Sequence, residues 1–297
     1  MSRILSIDSP EASHEEVLTI LSLTSPELIT QPISSALKLV SDLYSGEYPG
    51  YQACNTEYHD LKHTIETYLA MARLIHGATV EKHHFSERQI VLGLISALLH
   101  DAGYIQTDDD LDGTGAKYTA THVKRSMDFI GRHADDFELA GEEVEICQSM
   151  VLCTDLATDF DSIDFPSGQI DLLGKMLGTA DLVAQMADRT YLEKLVALYT
   201  EFDEGGVGDY ADEVDLLENT IGFHDFIKNR MKNVLHSVDR FLKPHFCVRW
   251  EIDSNLYEDA MEAQIQYLRK SLEIPGFKPF AHFRRINLLK KVREIYE

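Results

Sequence analysis

The sequence is poor in cysteine and has no long apolar run. Its 297 residues include four cysteines, too few for a disulfide scaffold, and no two form the Cys-x-x-Cys pair that would indicate a thiolate zinc site. No apolar stretch reaches the roughly 18 residues that predict a membrane span, and the first ten residues lack the basic start and apolar core of a signal peptide. We therefore expect a soluble cytoplasmic protein that binds no membrane.

Basic residues are also scarce. The chain has 27 Lys and Arg and 50 Asp and Glu, so its formal net charge is −23. This balance argues against nucleic acid as a partner, since non-specific binding depends on Lys and Arg meeting phosphates. A small phosphorylated substrate stays open, because a bound divalent metal can reverse the field in a cleft. Apolar residues make up 44% of the chain, which excludes a largely disordered protein.

The apolar spacing is helical almost throughout, and no alternating run long enough for a sheet occurs. The sequence therefore predicts an all-α fold, a multi-helix bundle. Gly77 is predicted to end the second helix, one long charged helix is predicted before Pro244, and Trp250 is predicted to pack in the core. The predicted helices are 33–43, 56–77, 87–100, 119–133, 142–156, 170–186, 191–202, 212–242, 255–272 and 286–296.

Histidines and carboxylates recur where the chain is otherwise apolar. His59 and His63 are four residues apart, so on a helix they share a face that suits one metal, or one ligand beside a proton donor. His100 and Asp101 end the most apolar helix, where a buried carboxylate needs a compensating partner such as a cation. Each pattern alone also fits a structural role, as a surface pair or a helix-end histidine.

Three further side chains continue this theme on other helices. Asp181 is a single carboxylate in an apolar stretch, Asp155 ends another apolar helix, and His122 lies near the start of its own. Four imidazole and carboxylate ligands from separate helices would hold a metal in the bundle core. The residue types do not distinguish Fe, Mn, Mg, Zn and Co. A water acidified by such an ion becomes a nucleophile at neutral pH.

Taken in order, these residues resemble the HD superfamily of metal-dependent phosphohydrolases, and more closely the catalytic domain of cyclic-nucleotide phosphodiesterases. Asp60 departs from the usual Asn, Gly103-Tyr104 interrupts the expected His-Asp-x-x-His, and Thr220 stands where a purine-binding Gln is expected. The matching segments, between Thr56 and Phe226, are Tyr58-His59-Asp60-Leu61-Lys62-His63, His100-Asp101, Cys153-Thr154-Asp155-Leu156 and Thr179-Ala180-Asp181-Leu182.

The resemblance implies a metal centre with one or two divalent ions. His63, His100, Asp101 and Asp181 would bind the tighter ion, and Asp101 would bridge to a second, more weakly held ion. In related hydrolases a histidine near the position of His122 supports the second ion. The resemblance also implies a core domain over 56–245, with helical extensions at 1–55 and 246–297.

Roles around the metals are implied in the same way. His59 would be the general acid that protonates the leaving oxygen while a hydroxide attacks phosphorus. Asp155 and Asp60 would lie behind the ligands and hold a histidine or a water in place. Thr220 would contact the substrate.

We therefore expect a metal-dependent phosphohydrolase that cleaves a phosphodiester of a small substrate, with a 3′,5′-cyclic nucleotide as the first candidate. The departure at Thr220 keeps a linear nucleotide or an alarmone as the alternative. A third hypothesis is a non-catalytic sensor of nucleotide or metal. The sequence leaves a homo-oligomer open.

Overall fold

The computed structural model describes residues 2–5, 7 and 9–283, so the predicted helix at 286–296 lies outside the described residues. Within this part of the chain the fold is all-α, as predicted, and the only β-type pairing is one isolated bridge between Tyr51 and Thr107. The helices are α1 Ser2–Leu5, α2 Pro10–Thr24, α3 Gln31–Ser45, α4 Leu61–Val80, α5 Glu87–Leu99, α6 His122–Arg132, α7 Gly141–Leu152, α8 Gly168–Ala187, α9 Tyr191–Gly205, α10 Glu213–Asn233, α11 Leu242–Trp250, α12 Leu256–Leu272 and α13 Pro279–His282.

Helix α5 has the most apolar sequence of the described helices. Ser86 begins it with a capping box, because its hydroxyl accepts from the Gln89 amide and the Gln89 side chain accepts from the Ser86 amide. Every residue from Ile90 to Leu99 is buried. A helix that is apolar all round must lie in a core, so α5 carries the residues that follow it into the interior.

Helix α4 packs against α2, α5, α8 and α11, and both of its predicted ends are wrong. It begins at Leu61 instead of Thr56, because the Asp60 carboxylate accepts from the His63 amide and caps the first turn. It continues past Gly77 to Val80. A Cβ at Gly77 would lie 1.7 Å from the carbonyl oxygen of Phe241, so this glycine permits a close approach instead of ending the helix.

The long helix predicted at 212–242 ends at Asn233, and the rest of the predicted span is a turn that leads into α11. The chain leaves α10 after Asn233, and His236 and Ser237 adopt left-handed backbone angles with φ of 53°. A 3₁₀ turn at Val238–Phe241 then leads into α11, and Pro244 lies in the first turn of that helix. Proline is tolerated there because the first amides of a helix have no partner within it.

Other boundaries shift by a few residues, and one core prediction is wrong. Helix α6 starts at His122 instead of 119, and α7 ends at Leu152 instead of 156. Trp250 is 37% exposed, with the Arg249 guanidinium 4.3 Å from its ring centroid, so it does not pack in the core.

Buried apolar residues from 5 to 283 form a single cluster that includes both flanking segments. The domain boundaries at 56 and 246 stay predictions. Among the described helices, none combines the length and the apolarity that a bilayer crossing requires.

Candidate metal centre

Three buried side chains converge where α4 begins and α5 ends. The Nε2 atoms of His63 and His100 are 3.3 Å apart. Asp101 Oδ2 lies 3.4 Å from the first and 3.3 Å from the second. Ligands bound at about 2.1 Å to one ion are themselves about 3.0–3.4 Å apart. The group therefore could hold a metal ion without rearrangement.

Asp181 on α8 completes a set of four. Its Oδ1 atom lies 3.1 Å from His63 Nε2 and 3.7 Å from His100 Nε2, and its side chain is 17% exposed. Burial opposes the charged form of Asp181, but the neighbouring His100 and His63 rings outweigh it and lower the pKa of the carboxyl group. The carboxylate is therefore held in the ionised form that a metal ligand requires.

The chemistry of the donor atoms fits a divalent cation. His100 donates from Nδ1 to the Ala97 carbonyl oxygen over 2.8 Å, so the neutral ring would present the lone pair of Nε2 to the centre. Asp101 Oδ2 is buried and accepts no hydrogen bond from the described residues. Burial opposes a positive charge on His100, yet the Asp101 and Asp181 carboxylates raise its pKa to about 9. This is the negative potential that a cation would meet.

His122 faces the other oxygen of the Asp101 carboxylate. Its Nδ1 donates to the Thr119 carbonyl oxygen over 2.7 Å, and its Nε2 lies 3.7 Å from Asp101 Oδ1. Burial lowers the pKa of His122 and favours the neutral ring. Gly103 allows this placement, because a Cβ there would lie 2.0 Å from the His122 carbonyl oxygen. Asp101 therefore lies between two groups of possible ligands.

His59 lies in the same region, but it is not on the helix where the sequence placed it. It precedes the helix that carries His63, so the two do not share a helical face, although their ring centroids are 6.2 Å apart. The His59 ring stacks on Tyr104 with centroids 4.2 Å apart and planes inclined by 13°. Its Nε2 atom lies 3.4 Å from the Tyr104 hydroxyl.

Glu201 on α9 holds His59 in place, and sequence reasoning missed it. This buried carboxylate accepts from His59 Nδ1 over 2.9 Å and from the backbone amides of Glu57 and Tyr58 over 2.8 and 2.7 Å. Burial of His59 opposes its charged form, but Glu201 outweighs this and raises the pKa of the ring. The sequence signal that could have identified Glu201 is its position three residues after Leu198, which places a carboxylate on the buried face of the helix.

The remaining predicted residues occupy different kinds of positions. Asp60 lies behind His63 as its helix cap and pairs with Lys194 over 3.0 Å. Asp155 accepts from the Ala157 amide and the Thr158 hydroxyl, so it caps its own turn, and among the described residues it makes no hydrogen bond to His63, His100 or His122. Asp155 also lines the cavity beside the candidate centre, and its role behind the ligands stays a prediction.

A cavity of about 470 Å³ opens beside the candidate metal centre. Asp101, His122, Asp181 and His59 lie at one end of its lining, and Thr220 lies in the part formed by α10. The Thr220 hydroxyl donates to the Leu216 carbonyl oxygen over 2.9 Å. The cavity is large enough for a small phosphorylated molecule to reach the centre.

The family model described as Npun_R2479-like matches residues 108–262, just over half of the chain. The matched stretch contains His122 and Asp181, whereas His63, His100 and Asp101 precede it. No curated protein matches the sequence.

Proposed function

The chain belongs to the Npun_R2479-like family, and from its metal centre we propose that the protein is a metal-dependent phosphohydrolase of the HD type. The reaction is hydrolysis of a phosphodiester in a small substrate, with a 3′,5′-cyclic nucleotide as the first candidate. The observation that carries the proposal is Asp101 Oδ2, buried without a hydrogen-bond donor between two imidazole nitrogens.

In this proposal His63, His100, Asp101 and Asp181 would hold one divalent ion, and His122 with Asp101 would support a second. A bound ion supplies Lewis acidity toward the phosphoryl oxygens and toward an attacking water. The protein's own residues position the substrate so that the proton donor lies beside the leaving oxygen, at the end of the scissile bond opposite phosphorus.

His59 is the proton donor of the proposed reaction. Glu201 accepts from Nδ1, which fixes the ring and leaves Nε2 on the cavity side. A proton at Nε2 passes to the leaving oxygen as the bond to phosphorus breaks. The carboxylate of Glu201 favours the imidazolium that must be present before the transfer.

The test is hydrolysis, with added Mn²⁺, of cyclic AMP, cyclic GMP, bis(4-nitrophenyl) phosphate and linear nucleotides. Asp101→Ala is the inactive variant. Asp171→Ala is the matched control, because Asp171 is a carboxylate on α8 that pairs with Lys175 instead of facing the centre. Circular dichroism verifies that both variants fold.

Turnover of a diester that is lost in Asp101→Ala and kept in Asp171→Ala is the expected result. Turnover of linear nucleotides alone would replace the phosphodiesterase assignment by the linear-nucleotide alternative. Bound metal without any turnover would contradict an enzyme and leave the sensor hypothesis.

A further inference from the structure

Tyr104 is a buried tyrosine whose ring lies against two histidines of the site. Its ring centroid is 4.2 Å from that of His59 and 4.5 Å from that of His122, with the planes inclined by 13° and 20°. The two histidine rings are themselves 6.0 Å apart. Tyr104 therefore contacts both the proton donor of the proposed reaction and the histidine that faces Asp101 Oδ1.

The hydroxyl of Tyr104 faces the nitrogen from which the proton would leave. Its oxygen lies 3.4 Å from His59 Nε2, while Nδ1 of the same ring donates to Glu201. The Thr119 side chain is a further hydrogen-bond partner of Tyr104. With one partner at each nitrogen and an aromatic ring stacked on it, the imidazole is fixed both in its plane and in its direction.

The backbone on both sides of Tyr104 is anchored to helix α6. The Gly103 amide donates to the Ser126 hydroxyl over 2.9 Å. The Arg125 guanidinium donates to the carbonyl oxygens of Gly103 and Ile105 over 2.7 and 3.1 Å. A reacting group keeps its geometry only when the residues behind it are held in this way. The tyrosine is therefore a fixed support for the two rings that lie against it.

We infer that Tyr104 is a positioning residue for the proton donor. Its ring sets the plane of His59, and its hydroxyl accepts from Nε2 and holds that proton on the cavity side. This inference rests on the proposed function, because His59 is a proton donor only there. Tyr104 stands at the position of the last histidine in the expected His-Asp-x-x-His, so the resemblance assigns it no role.

In the proposed step Tyr104 acts only through His59. The proton passes from Nε2 to the leaving oxygen as the bond between that oxygen and phosphorus breaks, and the tyrosine keeps its own hydroxyl proton. A stable leaving anion departs without a proton, whereas a basic one requires it. Loss of the Tyr104 hydroxyl should therefore slow the hydrolysis of esters with poor leaving groups and spare those with good ones.

The test compares two diesters with the same aryl framework in the presence of Mn²⁺, bis(4-nitrophenyl) phosphate and diphenyl phosphate. Nitrophenolate is the more stable leaving anion. Tyr104→Phe keeps the ring and removes only the hydroxyl. We expect its kcat for diphenyl phosphate to fall roughly tenfold with KM unchanged, as for other groups that orient a reacting residue. Its kcat for bis(4-nitrophenyl) phosphate should stay close to that of the wild type, whereas a merely structural defect would lower both rates alike.

Tyr68→Phe is the matched control. Tyr68 is also fully buried, and its hydroxyl lies 3.0 Å from Nδ1 of His14. It is not among the described residues that line the cavity. This variant loses a hydrogen bond between tyrosine and histidine outside the site, so both rates should match the wild type. Thermal unfolding verifies that the two variants remain folded.

A second measurement requires no turnover. The ¹⁵N resonance of His59 Nε2 is recorded in the full-length protein without added Mn²⁺ and is identified by its absence in His59→Gln. Because a hydrogen bond at Nε2 is lost, we expect this resonance to shift in Tyr104→Phe and to stay in place in Tyr68→Phe.

Two results would overturn the inference and keep the proposed function. One is an equal loss of kcat for the two diesters in Tyr104→Phe, or no loss for either, and the other is an unmoved Nε2 resonance. A wild-type protein that cleaves neither diester would contradict the proposed function, and the inference with it.

Discussion

The Nε2 atoms of His63 and His100 face each other at 3.3 Å in the interior of the protein. His100 donates its Nδ1 proton to the Ala97 carbonyl oxygen, so the neutral ring would present the lone pair of Nε2. Asp101 Oδ2 adds a third electron-rich atom within 3.4 Å of both. Such a group repels itself unless protons or a cation lie between its members, and this relationship leads to the first prediction.

Metal addition should stabilise the protein. At a free Mn²⁺ concentration about 100 times the dissociation constant, binding adds about 2.7 kcal/mol to the free energy of unfolding. Thermal unfolding with Mn²⁺ and with EDTA measures this as a rise in Tm. His100→Ala should abolish the rise, and His84→Ala, at an exposed histidine, should keep it. An equal rise in both variants would contradict the site.

Glu201→Gln should impair the proton donor without loss of the metal. The amide can still accept from the Glu57 and Tyr58 backbone but removes the negative charge beside His59. Since that charge raises the pKa of His59, its loss lowers the pKa. The alkaline limb of the kcat–pH profile, where the protonated donor disappears, should therefore move to lower pH.

At neutral pH we expect kcat of Glu201→Gln to fall roughly 10- to 100-fold, as for other groups that orient a catalytic residue. Glu218→Gln, at an exposed position of α10, is the control and should leave the profile unchanged. Loss of bound Mn²⁺ in Glu201→Gln would show that the carboxylate supports the ligands instead of His59.

Two substitutions at Asp60 should separate its cap from its charge. Asp60→Ala removes the acceptor for the His63 amide and should lower the free energy of unfolding by about 1 kcal/mol. Asp60→Asn keeps the cap and loses only the ion pair with Lys194, in which Asp60 is 33% exposed. Urea denaturation measures both. Equal destabilisation by the two variants would assign the effect to the ion pair.

The residues of the centre could be selected from the sequence because a charge among apolar neighbours is a local signal. His100, Asp101 and Asp181 each follow or interrupt a run of buried residues, and the structure brings them together with His63. Their roles as ligands stay predictions. Glu201 escaped selection because its partner His59 is 142 positions away in the chain, a relation that only the folded structure supplies.

Helix type was predictable from spacing, whereas helix ends depended on contacts. Thr56 and Asp60 are both residue types that cap helices well. Nothing in the local sequence shows that the helix begins after Asp60, where its carboxylate accepts from the His63 amide, and not after Thr56. No proline or glycine lies beside the break after Asn233. The left-handed backbone angles there are adopted by His236 and Ser237. Such angles are uncommon outside glycine, so apolar spacing alone favoured one continuous helix.

Gly77 and Gly222 lie inside helices and should respond to alanine in opposite directions. At Gly77 the added Cβ would lie 1.7 Å from the Phe241 carbonyl oxygen, so α4 and the turn before α11 would have to separate, at about 3 kcal/mol or more. At Gly222, exposed on α10, a Cβ meets nothing within 4 Å. Alanine there should stabilise the protein by about 0.5–1 kcal/mol, because glycine loses more backbone entropy in a helix. Urea denaturation of both variants measures these changes. A stabilising Gly77→Ala would contradict the close packing of α4 on Phe241, because it would show that this glycine only weakens the helix.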